Sequence, residues 1–208
     1  QILKTVRRDP SRSELERIDL ADVVRGGAHT WADLARDKWK LDLVVEAEDG
    51  LWIDGDRSHL QQAVENLLFN ARDATFEMRA QLRSQAHQAP GLGQQERREA
   101  LIAAAAWRGT VVLRARRQGD RAVLEVRDNG VGMTEEVRRR CTETHFSTKR
   151  DNALYEGHST GMGLGLSFVA AILEHHGAAL EVESAPLKGT TFRATFAIRE
   201  PAGAPARA

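Results

Sequence analysis

Cysteine is almost missing from this chain: Cys141 is the only one in 208 residues. One thiol excludes an internal disulfide framework and a cysteine-rich zinc site, and it fits a reducing compartment. Net charge is missing too, with 30 basic residues set against 30 acidic ones. That removes the electrostatic case for nucleic acid or an anionic membrane surface as a partner. No long apolar run occurs; the longest, Leu101 to Trp107, is far short of the ~20 residues of a membrane span. No signal-peptide pattern and no internal repeat are visible. Lysine is scarce, limited to Lys4, Lys38, Lys40, Lys149 and Lys188, so a lysine inside a motif carries weight. The chain starts at Gln1 rather than Met, and it is expected to be a fragment whose parent could still be membrane-anchored.

What is present describes a soluble globular domain: 41% hydrophobic and 29% charged residues, in a length that can bury a substantial core. Residues 1–17 are polar and charged and read as a linker or the end of an upstream helix. Asp19 can cap a helix running to about Lys38. Lys40 to Glu46 alternates as a strand should, and Leu51 to Ile53 is a second short strand. Asp56 or Ser58 then caps the helix of residues 61–74. From about Phe76 to Arg108 the composition turns to Gln, Arg and Ala, broken at Pro90-Gly91-Leu92-Gly93. This predicts two helical arms inserted before the next strand, either a solvated excursion or a partner-docking arm.

Thr110–Arg116 and Ala122–Val126 read as a hairpin closed at Gly119-Asp120. Thr134 caps a short helix. Residues 142–162 form a long loop of the kind that is usually functional or mobile. Leu164 to His176 is an apolar helix ended by Gly177. Leu180–Ser184 and Thr190–Ile198 close the fold as a second hairpin, and 200–208 is a disordered tail.

Four pieces carry chemistry. In the helix of residues 61–74, Asn66, Asn70 and Asp73 fall on one stripe, beside an apolar stripe of Leu60, Val64, Leu67, Ala71 and Ala74. Asn oxygens can ligate a hard cation such as Mg²⁺ that draws its other ligands from phosphates and water; a solvated amphipathic helix is the plainer alternative. Next, Asp128-Asn129-Gly130-Val131-Gly132-Met133 follows an apolar strand. Asn-Gly is a strong turn signal on its own, yet a carboxylate at a strand end can also accept from an exocyclic amine, with glycines admitting a flat ring. Third, Ser159-Thr160-Gly161-Met162-Gly163-Leu164-Gly165-Leu166 opens onto a helix and could aim N–H groups at phosphates, or be a plain loop. It fits neither the dinucleotide nor the P-loop pattern. Fourth, Lys188-Gly189-Thr190-Thr191-Phe192 reads as a turn into the last strand.

Taken in order, NxxxNAxDA, DxGxGM, FSTK, GMGLGL and GTTF resemble the GHKL ATPase superfamily, and within it the catalytic ATP-binding domain of bacterial sensor histidine kinases, nearest the nitrogen-regulation type. The resemblance covers about residues 18–199. It implies an α+β fold, a two-layer sandwich of the GHKL or Bergerat type. Helices would cover one face of a mixed, mainly antiparallel sheet. It implies ATP and Mg²⁺ as cofactors, with Asn70 as the metal ligand and Asp128 binding the adenine amine. Gly130, Gly132 and Met133 would shape the adenine floor. Phe146 and Lys149 would belong to the lid, Lys149 as the phosphate cation. Gly161, Met162, Gly163, Leu164, Gly165 and Leu166 would hold phosphates, and Thr190 would support Asp128. Asp73 stands where orthodox sensor kinases often carry a base, so a structural or water-mediated role is expected.

Relatives that hydrolyse ATP carry a Glu one turn before the metal-binding Asn; here that place is Asn66, a poor water activator, which suits a kinase. No histidine is followed by Glu or Asp, so the acceptor helix is expected upstream of Gln1. The implied partners are the dimerisation and histidine-phosphotransfer domain of the same kinase and a response regulator, in a cytoplasmic setting and a homodimeric parent. Two alternatives remain: an ATP-binding scaffold that transfers nothing, and a GHKL serine kinase of the anti-sigma type.

Overall fold

The computed structural model describes residues 15–88, 91, 93–143 and 165–199. The expected linker up to residue 14, most of the expected 142–162 loop and the expected tail lie outside them. Strand β1 (Glu16–Asp19) pairs antiparallel with β3 (Trp52–Gly55), Glu16 opposite Gly55 and Asp19 opposite Trp52. Residues 16 and 17 are therefore strand, not linker. Their charge concealed it, because the outer side of a two-stranded ribbon is wet, and Arg17 spends its charge on Asp54 at 3.3 Å. Asp19 ends the strand by taking three N–H groups on one carboxylate: Ala21 at 3.0 Å, Gly50 at 2.8 Å and Leu51 at 3.1 Å. It caps helix α1 (Leu20–Leu34) and pins the turn before β3 in one stroke.

A π-helical turn, Ala35–Trp39, follows α1 and is closed by Lys40 at φ 53°. Strand β2 (Leu41–Ala47) leaves from it. The long helix α2 (Arg57–Gln88) starts after Asp56, whose carboxylate accepts from His59 N–H at 3.0 Å. Asp56 is thus the cap of the two that were expected. The expected separate arm from Phe76 does not exist as such: α2 runs on unbroken for 32 residues, roughly 48 Å at 1.5 Å per residue. Between positions 57 and 88 there is no glycine or proline, so nothing in the backbone stops it. Helix α3 (Gln94–Ala106) then returns along it. Arg79, lying over the rings of Phe76 and Trp107, donates to the carbonyls of Trp39 and Lys40 at 3.3 and 3.0 Å and fastens the arm to the π-turn.

Strands β4 (Gly109–Gln118) and β5 (Arg121–Asp128) form the expected hairpin; helix α4 (Glu135–Arg140) is capped by Thr134. Helix α5 (Gly165–His175) precedes β6 (Leu180–Ser184) and β7 (Thr190–Ala197). The main sheet has the order β2-β4-β5-β7-β6, with β2 parallel to β4 and every other pair antiparallel. Leu20, Leu60, Leu67, Leu68, Leu113, Leu124, Ile172 and Phe196 make up the dry layer between the sheet and helices α1, α2 and α5. The sheet's other face carries a charged row instead. Arg114 joins Glu46 at 2.6 Å and Glu125 at 2.8 Å, and Arg193 joins Glu125 at 3.2 Å and Glu183 at 3.0 Å. Alternation along each strand puts these residues together, and it leaves one face for core and one for water. The result is the two-layer α/β sandwich that the motifs implied.

Candidate functional site

Strand β5 ends inside the protein on a carboxylate. Asp128 is 4% exposed and lies directly across the ladder from Thr190, the first residue of β7. Its Oδ1 accepts from Gly130 N–H at 2.8 Å, and the Thr190 backbone N–H also favours its charge. Burial dominates these bonds and pushes the Asp128 carboxyl up to about 6. The Thr190 hydroxyl does not turn to Asp128: it meets Ser184 Oγ on β6 at 2.9 Å. Support of Asp128 by Thr190 therefore runs through the backbone.

The glycines around Asp128 are fixed first by the protein itself. A Cβ on Gly130 would stand 2.5 Å from the carbonyl carbon of Ala74 on α2, and Val131 N–H donates to Ala74 O at 3.1 Å. Gly132 has φ +66°, and a Cβ there would come within 2.0 Å of Ala185 O. Gly189, at φ +78°, packs against the Asp128 carbonyl with the same tolerance. Gly130 has no positive φ, so Asn129-Gly130 is not the positive-φ hairpin turn that an Asn-Gly pair signals. Asn129 instead staples two segments, accepting from Thr110 N–H at 2.8 Å and donating to Arg108 O at 3.0 Å. Met133 packs against the core, with its N–H on Ser184 Oγ at 2.8 Å.

Asn70 stands one helical turn before Ala74 on α2, and Asn66 one turn before that. Helix α5 begins opposite them: a Cβ on Gly165 would be 3.8 Å from Asn66 Oδ1 and 3.8 Å from Asn70 Nδ2. The Asn66 amide nitrogen donates to Gln62 O at 2.8 Å, which turns its oxygen toward Gly165. Leu166, the next residue, packs on the core. Asp73 parts company with the two asparagines. It is 7% exposed and paired with Arg72 at its own shoulder, Nε to Oδ1 at 2.7 Å. That guanidinium lies over the rings of Trp39 and Phe69 at 5.1 and 5.2 Å. The stripe read from the sequence is thus divided between two surroundings.

Phe146, Lys149, Gly161, Met162, Gly163 and Leu164 lie outside the described residues. Among the described ones, Asn66, Asn70, Gly165, Ala74, Gly130 and Asp128 form one continuous line from the start of α5 to the end of β5. Sequence reasoning missed Ser184, Asn129 as a staple, and the Ala74 carbonyl. Ser184 gave only the faint signal of a hydroxyl where a strand meets a turn. The Ala74 carbonyl gives none, since every residue has one.

A family model described as "Histidine kinase-, DNA gyrase B-, and HSP90-like ATPase" matches residues 55–200. Sporulation kinase B of Bacillus subtilis (strain 168) is 27% identical over 178 residues, 86% of this chain and 32% of that protein. The nitrogen regulation protein NtrY of Azorhizobium caulinodans is 29% identical over 151 residues, 72% of this chain and 15% of that protein. The chain spans about a third or less of the length of these curated relatives. In fold, the catalytic domain of histidine kinase ThkA superposes with a TM-score of 0.63 at 20% identity, over 89% of this chain and 97% of that one. A buried carboxylate and a pair of carboxamides on the helix beside it, in this sandwich and under this match, have one common origin: the chain belongs to the histidine kinase-, DNA gyrase B- and HSP90-like ATPase family.

Proposed function

We propose that these residues are the ATP-binding catalytic domain of a two-component sensor histidine kinase, passing the γ-phosphate of ATP to a histidine on a dimerisation domain of the same protein. The observation that carries the reading is the buried Asp128 carboxylate joined through Gly130 and Ala74 to Asn70 and Asn66 on α2. Asp128 would accept from the exocyclic amine of adenine. Asn70 would present its oxygen to Mg²⁺. A neutral oxygen donor suits this cation, which keeps waters and takes its remaining ligands from phosphates, and the start of α5 opposite would face those phosphates. When bound, the metal neutralises phosphate charge. The protein's own share is to position and to exclude wrong reactions. Asn66 serves the latter, because a carboxamide cannot take a proton from water and so leaves the γ-phosphate for an acceptor.

Lys149 and the lid residues Phe146, Gly161, Met162, Gly163 and Leu164 complete the reading on the phosphate side, with Gly165 and Leu166 opening α5. The nitrogen-regulation type is the finer assignment and rests on the Asn70-Ala71-Arg72-Asp73-Ala74 run. The partners on this reading are the dimerisation domain and a response regulator, in a homodimeric parent whose catalytic part is cytoplasmic. Among the described residues, no helix is long and apolar enough to cross a membrane. The test is the full-length parent with γ-labelled ATP. Label in an acid-labile, base-stable phosphohistidine is the expected result. Acid-stable phosphoserine, or no labelled protein, overturns it.

A further inference from the structure

Three strands end in a single polar row. Asp128 on β5, Thr190 on β7 and Ser184 on β6 are direct cross-strand neighbours, so their side chains share one face of the sheet. Beneath them the next rung inward is apolar, with Val126, Phe192 and Val182 in the same order. Two members of the row are buried: Asp128 is 4% exposed and Thr190 5%. With the Asp128 carboxylate ionised, the direction of one hydroxyl proton decides whether the row offers a donor or only acceptors.

Ser184 Oγ has three partners: Met133 N–H at 2.8 Å, Gly189 O at 3.0 Å and Thr190 Oγ1 at 2.9 Å. The Met133 contact can only be an acceptance by Ser184, and the Gly189 contact can only be a donation. Its single proton is then spent, so Thr190 must donate to Ser184. In this arrangement every hydrogen-bonding position of Ser184 is filled. The reverse arrangement strips the buried Gly189 carbonyl of this donor, which burial penalises, and leaves a lone pair of half-buried Ser184 idle. With its proton committed to Ser184, the Thr190 oxygen stands beside the Asp128 carboxylate as an acceptor.

We propose that Ser184 is a positioning residue for base selection: by holding the Thr190 hydroxyl proton it makes the Asp128–Thr190 row accept only, and so favours a purine with an exocyclic amine over one with a carbonyl at the same place. The proposal rests on the nucleotide-binding reading above. Release of the Thr190 proton would allow that hydroxyl to donate to a carbonyl and blur the choice. The effect is on the ratio of two affinities, which a general loosening of the fold does not change.

The test is calorimetric titration of the whole chain with MgATP and with MgITP, which carries a carbonyl in place of the adenine amine. Wild type binds ATP the more tightly. Ser184→Ala reduces the ITP-to-ATP dissociation-constant ratio by about tenfold, and Ser184→Thr, which keeps the hydroxyl, restores it. Thr190→Val and the double variant Ser184→Ala/Thr190→Val have the same ratio as each other, because without the Thr190 proton Ser184 has nothing to orient. A Ser184→Ala ratio equal to wild type overturns the proposal, and so does a Ser184→Thr ratio that stays low. If Ser184→Ala fails to fold, Ser184→Cys takes its place, with only a weak S–H donor, and an unchanged ratio there overturns it equally. No ATP binding by wild type would instead remove the nucleotide reading itself.

Discussion

Asp128 is held by two backbone N–H groups and boxed in by Gly130, Gly132 and Gly189, each packed too closely for a side chain. Asn66 and Asn70, about two helical turns or less before the same Ala74 carbonyl, are half-buried on α2 and face the first residue of α5, where a Cβ would meet them only at ordinary van der Waals distance. One end of the site is a rigid notch with its geometry fixed by the fold; the other is a pair of polar side chains on a helix, with a helix start opposite. The contrast follows from what each end would hold. A flat base is recognised by a few directed bonds in a dry place, which must be built in advance. Charged phosphates with their cation keep water and move during transfer, so that end stays adaptable. The first end is supplied with binding geometry at the expense of a carboxylate kept out of water.

Mutations can break this comparison, and the largest effect belongs to the rigid end. Gly132→Ala combines a left-handed φ of +66° with a Cβ 2.0 Å from Ala185 O; it is expected to cost ~4 kcal/mol in urea unfolding. If Asn70→Ala costs as much, the two ends are not different in kind.

Next comes pH. The Asp128 carboxyl is raised from 3.8 to about 6 by burial, so the folded state keeps this proton where the unfolded chain has lost it. Stability from this group is full below pH 3.8 and is lost as pH rises to about 6, a change of roughly 3 kcal/mol. Asp128→Asn should flatten that part of the stability-versus-pH curve; a curve identical to wild type refutes the assignment. ATP affinity has the opposite sense, rising through the same window as the carboxylate becomes the acceptor. Asn70→Ala is expected to lower phosphotransfer on the order of 100-fold while the unfolding midpoint stays put, which sharpens the division of labour. The smallest effect is away from both ends. Arg79→Ala removes two carbonyl bonds and two ring contacts and should cost about 1–2 kcal/mol, with little change in nucleotide affinity.

Much of the fold could be read from local patterns. The β4–β5 hairpin, the Asp19 and Thr134 caps, α5 with Gly177 behind it, and the closing β6–β7 hairpin all follow from alternation, caps and glycine. Strand β1 was lost because Glu16 and Arg17 look like linker, and its pairing with β3 is a long-range event. The two helical arms on either side of residues 89–93 are present, but the first is the continuation of α2, because a change of composition at Phe76 does not end a helix and termination needs glycine, proline or a cap. In the site, Asn66, Asn70 and Asp128 were visible as residue types at spacings that suit phosphate and base. Asp73 falls on the same stripe by periodicity, and its pairing with Arg72, whose guanidinium lies over Trp39 and Phe69, is the structural kind of role expected for it.

The sequence by itself determined the order of the motifs, the side-chain chemistry and the places where the backbone must be glycine, because these are properties of residues and their near neighbours. Only the tertiary structure decided which glycine answers to which contact, that Asp128 is buried deeply enough to hold its proton to about pH 6, and that Thr190 turns its hydroxyl to Ser184 rather than to the carboxylate beside it. Those depend on strands and helices distant in sequence closing over one another, where burial and the direction of a single hydrogen bond are settled together.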